Sequence, residues 1–157
     1  MKSDAIQLQE FISQLEGRRR FVKVDTSTPD SRAFVDGHYE KASSCLLDAE
    51  RMKAPAAAAV VPLCYQVVLS AALLALRREG IAVKPYRGHV DADTVRAGGL
   101  LLELDALDSA PLEQLLKAYS RGFENGPAPT EDEAESALRF ARLLVRRLSH
   151  KPPNAAD

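Results

Sequence analysis

With 157 residues the chain has the length of one ordinary domain, enough to enclose a sizeable core. Its 46% hydrophobic and 27% charged residues argue for a globular chain and exclude a disordered or membrane-spanning one. A formal net charge of −1 excludes a general electrostatic grip on nucleic acid, so a charged partner has to be met by a local patch.

The first predicted element is a helix from Ser3, as N-cap, to Gly17, as stop, with Leu8, Phe11, Ile12 and Leu15 at helical spacing. The N-terminal residues Met1 to Gln7 lack the apolar stretch of a signal peptide. Arg18, Arg19 and Arg20 follow, then Phe21, Val22 and Lys23. This basic segment offers cations to phosphates and Phe21 as a stacking partner, or else it is solvated and pairs with acids such as Glu16. With the turn-rich stretch Asp25 to Asp30 it reads as a connector that has room for a short extended segment.

A second helix is expected from Asp30 or Ser31 to before Pro55, with Phe34, Tyr39, Ala42, Cys45, Leu46, Ala49 and Met52 as its apolar stripe. A third, from Pro55 to Glu79, is apolar on most faces, as befits an element surrounded by others. Pro62 starts or kinks it, because proline lacks the backbone donor and clashes with the preceding turn. Arg77 and Arg78 suit the negative end of its dipole, and Gly80 stops it. Its apolar run is broken by Pro62, Gln66 and Ser70 and ends in Arg77, Arg78 and Glu79, which favours a core helix over a membrane span.

The loop from Ile81 to Asp91 gathers Lys84, Tyr86, Arg87 and His89. Imidazole exchanges protons near neutral pH and guanidinium steadies developing negative charge, so Arg87 and His89 are candidate site residues. A fourth helix is expected over Asp93–Ala106, weakened near its start by Gly98 and Gly99. A fifth begins after Ser109 with Pro111 in its first turn and stops near Gly122. The segment beyond Tyr119 offers a polar site, with Arg121 binding an anion and Glu124 or Asn125 assisting. The last helix carries a capping box, Thr130 with Glu133, and acidic residues in its first turn. Arg146, Arg147, His150 and Lys151 lie at its end.

These elements add up to an all-α fold, an up-and-down bundle of four to five core helices plus an N-terminal helix. The expected organisation is an N-terminal helix and basic connector over 1–30, the bundle over 31–150, and a disordered tail over 151–157. Cys45 and Cys64 sit in apolar helical stretches and are expected as reduced core residues of a cytoplasmic protein. His38, His89 and His150 are scattered, with no metal-binding spacing, glycine-rich phosphate loop or nucleophile elbow, so no metal and no cofactor is expected.

The alanine-rich helix from Tyr65 to Leu76 leads through the Gly80–Ile81 turn and Lys84–Pro85 to Gly88–His89. An arginine-bearing helix end then precedes a Thr-capped, acidic-starting final helix. Over roughly residues 31–148 this layout resembles the HEPN domains, helical nucleotide-binding-associated domains of prokaryotes. The resemblance implies a bundle that commonly dimerises, and a family that includes metal-independent ribonucleases, toxins paired with antitoxins, and non-catalytic RNA- or partner-binding members. The ribonucleases use Arg-x(4–6)-His. Arg121 matches the arginine, but no histidine follows it at that spacing, and Asn125 and Gly126 stand nearby instead.

The expectation that follows is a non-catalytic, HEPN-like binding module. It would be a homodimer acting with a protein or RNA partner in a toxin–antitoxin, defence or stress context, away from membranes. One alternative is a divergent ribonuclease using Arg121 and His89. Another is a structural or adaptor protein recognised through its first helix and the Arg18–Arg19–Arg20 connector.

Overall fold

The fold is that of a computed structural model, which describes residues 10, 13, 21–53, 56–84, 92–102, 106–124 and 126–150. Among these residues the chain forms five helices and one two-stranded sheet. In order they are β1 (Phe21–Lys23), α1 (Pro29–Met52), α2 (Ala57–Arg78), β2 (Ile81–Val83), α3 (Ala92–Leu101), α4 (Ala106–Phe123) and α5 (Glu131–His150). The all-α bundle expected from the sequence is what the chain forms. Apart from Glu10 and Ser13, the helix expected over Ser3–Gly17 lies outside the described residues, as does the expected tail.

Helix α2 is the axis. Val60, Val61, Cys64, Val67, Val68, Ala71, Leu74 and Leu76 are buried along it, and α1, α3, α4 and α5 all pack against it. By length and composition it is apolar enough to cross a membrane, yet 67% of that stretch is buried inside the protein, so its apolar surface already has partners. Pro62 lies inside the helix rather than at its start. The proline ring is exposed, and it withholds the amide that would otherwise bond the carbonyl of Ala58.

Helix α1 begins at Thr28, whose hydroxyl accepts from the amide of Ser31 at 3.1 Å, with Pro29 in the first turn. The cap thus falls just ahead of the Asp30 or Ser31 expected from the sequence. Two polar bridges fix α5 across α1. Arg142 Nε donates to Glu50 at 2.6 Å, and the Tyr39 and Ser149 hydroxyls lie 2.9 Å apart.

Helix α3 runs unbroken through Gly98 and Gly99, and Gly98 lets it dock. A Cβ on Gly98 would stand 2.3 Å from the Cα of Ala72, so only a glycine permits this backbone-to-backbone approach of α3 to α2. The Arg96–Glu113 fork, at 2.7 and 3.0 Å, then joins α3 to α4.

The sheet gives the basic connector a short extended segment and places a second strand at the start of the loop after α2. Phe21, Val22 and Lys23 pair antiparallel with Val83, Ala82 and Ile81, and the Val24 amide bonds the Gly80 carbonyl at 2.8 Å. Gly80 adopts φ +76°, which lets the chain turn out of α2 into β2. Phe21 is only 5% exposed and belongs to the core, so it is not available to stack on a base. Both cysteines are free; burial is the main reason the Cys64 thiol is pushed up to about 12.

Candidate functional site

Two arginine-bearing helix ends hold the chemistry of the described residues. The first is the junction of α4 and α5, where the sequence placed Arg121 and Glu124. Thr130 and Glu133 form the expected capping box. The Glu133 amide donates to the Thr130 hydroxyl at 3.2 Å, and the Thr130 amide donates to Glu133 Oε2 at 2.9 Å. The same Oε2 accepts from Arg121 Nη2. The Arg121 hydrogen bond first, and the Thr130 amide second, hold the Glu133 carboxyl below its ordinary value. Arg121 therefore ties the end of α4 to the start of α5, and its carbonyl also accepts from the Gly126 amide at 3.0 Å. Glu124 is exposed, and its amide closes the helix end on the carbonyls of Ser120 and Arg121.

The polar site expected beyond Tyr119 includes Asn125, which lies outside the described residues. The cleft at that place, about 490 Å³, is lined by Ala58, Val61, Pro62, Tyr119 and Pro129, with Gly122, Gly126, Ala118 and Ala128 filling the gaps. Among the described residues no charged side chain lines it. Tyr119 stacks on the buried Tyr65, with ring centroids 3.7 Å apart and planes within 4°. Arg121 points its guanidinium to the capping box instead.

The remaining residues singled out from the sequence, namely Arg18, Arg19, Arg20, Arg87, His89 and Asn125, lie outside the described residues. The Arg121–His89 pair is thus placed at its arginine alone.

The second arginine-bearing end is one that sequence reading passed over. Ser31, Phe34 and His38 recur at i, i+3 and i+7 along α1, which puts them on one face, turned toward the C-terminal end of α2. The Arg77 guanidinium carbon lies 4.0 Å from the centroid of the Phe34 ring, a cation–π contact. His38 leans on the same ring, 4.3 Å between centroids. Arg77 Nη1 donates to Ser31 Oγ at 3.5 Å, and Ser31 Oγ spends its own proton on the carbonyl of Asp25 at 2.7 Å. Asp25 Oδ1 accepts in turn from the amide and hydroxyl of Ser27.

The electrostatics of this end are one-sided. Burial first, then Lys41 and Arg77, push His38 below its ordinary value, so the imidazole is uncharged at neutral pH. Burial likewise lowers Arg78, opposed by Asp36 at longer range. Among the described residues no carboxylate forms an ion pair with Arg77 or Arg78. His38 Nδ1 and the Nε atoms of Arg77 and Arg78 are buried without hydrogen-bond partners. Arg121 Nε shares that condition, so the carboxylate, not the Nε, separates the two ends. A signal for this site was present in the Ser31–Phe34–His38 spacing. The sequence left it unread because Phe34 looked like core and Arg77 like a partner of the helix dipole.

No group of His, Cys, Asp and Glu among the described residues is arranged to hold a metal. No protein-family model matches the chain, and neither does any curated protein or solved structure.

Proposed function

We propose that the chain is a non-catalytic, HEPN-like helical binding module that works as a homodimer in the cytoplasm. Its partner is a protein or RNA, in a toxin–antitoxin, defence or stress context. One observation carries the reading. Arg121, the one residue that matches the arginine of the ribonuclease motif, is engaged by Glu133, the same carboxylate that accepts from the Thr130 amide at the start of α5. An arginine held by a carboxylate is poorly placed to meet a scissile phosphate, because it would have to give up its charge-assisted bond to Glu133 first. The missing histidine after Arg121 points the same way.

The test is incubation of the purified full chain with RNA in the absence of divalent metal. The expected result is intact RNA, with partner or RNA binding read separately by mobility shift. Cleavage lost in both Arg121→Ala and His89→Ala would establish the ribonuclease instead. Solution mass by light scattering tests the dimer, and a monomeric mass at working concentration sinks that part. Loss of partner binding on deleting residues 1–25, with the helicity of the remainder kept, would favour the adaptor reading.

A further inference from the structure

Helix α1 turns one stripe outward along most of its length. Gly37, Lys41, Ser44, Asp48 and Met52 follow one another at steps of three and four residues, so they share a face, and all five are exposed. Two of them sit oddly on a solvated surface. Met52 is 53% exposed, and with Leu47 it makes up the large hydrophobic side chains left open among the described residues. Gly37 lies inside the helix, where glycine costs stability relative to alanine, and a Cβ there would meet nothing within 4 Å. Gly98 inside α3 makes room for the backbone of Ala72, whereas Gly37 has no such neighbour.

The charges between these two residues are ordered. Among the described residues Lys41 forms no ion pair, and Asp48 reaches only Arg51, at 3.6 Å, in a contact between two side chains more than half exposed. A pair of that kind contributes little and leaves Asp48 open to a better partner. A second α1 laid antiparallel on the first, about a two-fold axis passing between Ser44 and Cys45, supplies one. Lys41 then lies level with Asp48 of the second copy, Asp48 with its Lys41, and Met52 with its Gly37. A parallel pairing would set lysine against lysine and aspartate against aspartate. The chain's own N-terminal stretch suits this face less well. Its expected stripe of Leu8, Phe11, Ile12 and Leu15 is apolar, whereas the centre of the face is Lys41, Ser44 and Asp48.

We propose that a second copy of the chain docks on this face, α1 against α1 and antiparallel. Lys41–Asp48 ion pairs cross the two-fold axis, and each Met52 is seated over Gly37 of the other copy. The proposal rests on the homodimer of the binding-module reading and gives that dimer a face and a register. Gly37 to Met52 spans about 23 Å of helix, a small contact, so the dimer is weak, with a Kd of about micromolar or above.

The experiment is sedimentation equilibrium of the full chain from micromolar to millimolar concentration. A reversible monomer–dimer equilibrium is expected. Lys41→Asp and Asp48→Lys should each weaken it by about tenfold or more, because each sets like charges opposite one another, and the double exchange should restore it. Gly37→Gln fills the seat of Met52 and should weaken the dimer about as much, while the Tm of the monomer stays the same or rises, since glutamine is the better helix former. Lys117→Asp, an exposed exchange on α4, should leave the dimer unchanged. A dimer indifferent to the Gly37, Lys41 and Asp48 exchanges, or a double exchange that fails to restore it, overturns this face and leaves the homodimer standing. A monomer at every concentration overturns the face and the homodimer together, with RNA or partner binding still read separately by mobility shift. A fall in the monomer's Tm in Gly37→Gln would show that the chain itself covers the face, and would also overturn the proposal.

Discussion

Helices α2 and α4 end alike in sequence, each with arginine in its last turn, yet the two ends have opposite fates. At the end of α4, Arg121 finds Glu133, which the next helix places at its own first turn, and the pair becomes a strut. At the end of α2, the chain turns into β2 through Gly80, and the face opposite Arg77 carries Ser31, Phe34 and His38 instead of an acid. The lesson is that a basic helix end is chemically undefined until its neighbour is known. Dipole complementarity describes both ends and distinguishes neither.

Both ends hang from the same scaffold, so the largest expected effect comes from breaking that scaffold. Gly98→Val drives a branched side chain into the backbone of Ala72 and should cost about 3 kcal/mol or more, read as loss of cooperative unfolding or a large fall in Tm. Such a variant would disable both arginine ends together, which marks a global effect.

A smaller and more selective effect is expected at the strut. Thr130→Ala removes the cap of α5 and should destabilise by about 1 kcal/mol in denaturant unfolding. Arg121→Ala should lower Tm in the wild-type background and have less effect in Glu133→Gln, since the two act through one bond. Additive losses in that double-mutant cycle would show that the strut is not real.

The α2 end should respond oppositely. His38→Phe removes a buried imidazole nitrogen that has no partner and keeps the ring against Phe34, so stability should stay within about 0.5 kcal/mol or rise slightly. A loss as large as that of Thr130→Ala would mean that His38 is structural and the contrast between the ends is false.

Acid separates the ends most finely. The unfolded chain takes up the His38 proton more readily than the folded one, because burial and the cations Lys41 and Arg77 lower the folded value. Stability from this end is therefore complete above pH 6.5 and falls as pH drops through the depressed folded value. His38→Phe should flatten that slope. Glu133 also has a lowered folded value, so the strut keeps its contribution above pH 4.5 and loses it only on further acidification. Unfolding midpoints measured from pH 7 to 3 should show the two losses in that order.

Much of the fold was legible because it rests on local rules. The stripe of Ala134, Ala137, Leu138, Ala141, Leu144 and Leu148 is buried as its spacing requires, and Thr130 caps as its pairing with Glu133 requires. Gly80 ends the core helix with a positive φ. Less of the site was legible. Arg121 was singled out for anion binding, and what the fold shows it doing, bonding Glu133, depends on the return of α5; the described residues of the cleft beside it are apolar apart from the Tyr119 hydroxyl. The strand Phe21–Lys23 could not be paired from sequence, because its partner lies 60 residues away and is three residues long.

The sequence by itself determined that this protein is helical, where its capped last helix begins, and that one apolar helix must be enclosed by the others. Those outcomes follow from periodicity, proline and glycine placement and capping chemistry, all of which act within a few residues. The expected break between the helices over Asp93–Ala106 and after Ser109 falls earlier, before Ala106. Only the tertiary structure decided which arginine meets a carboxylate. It also decided that Gly98 serves close packing against Ala72, and that Phe21 is core. These depend on which faces meet, and a face acquires its charge, its space and its solvent from the element packed against it.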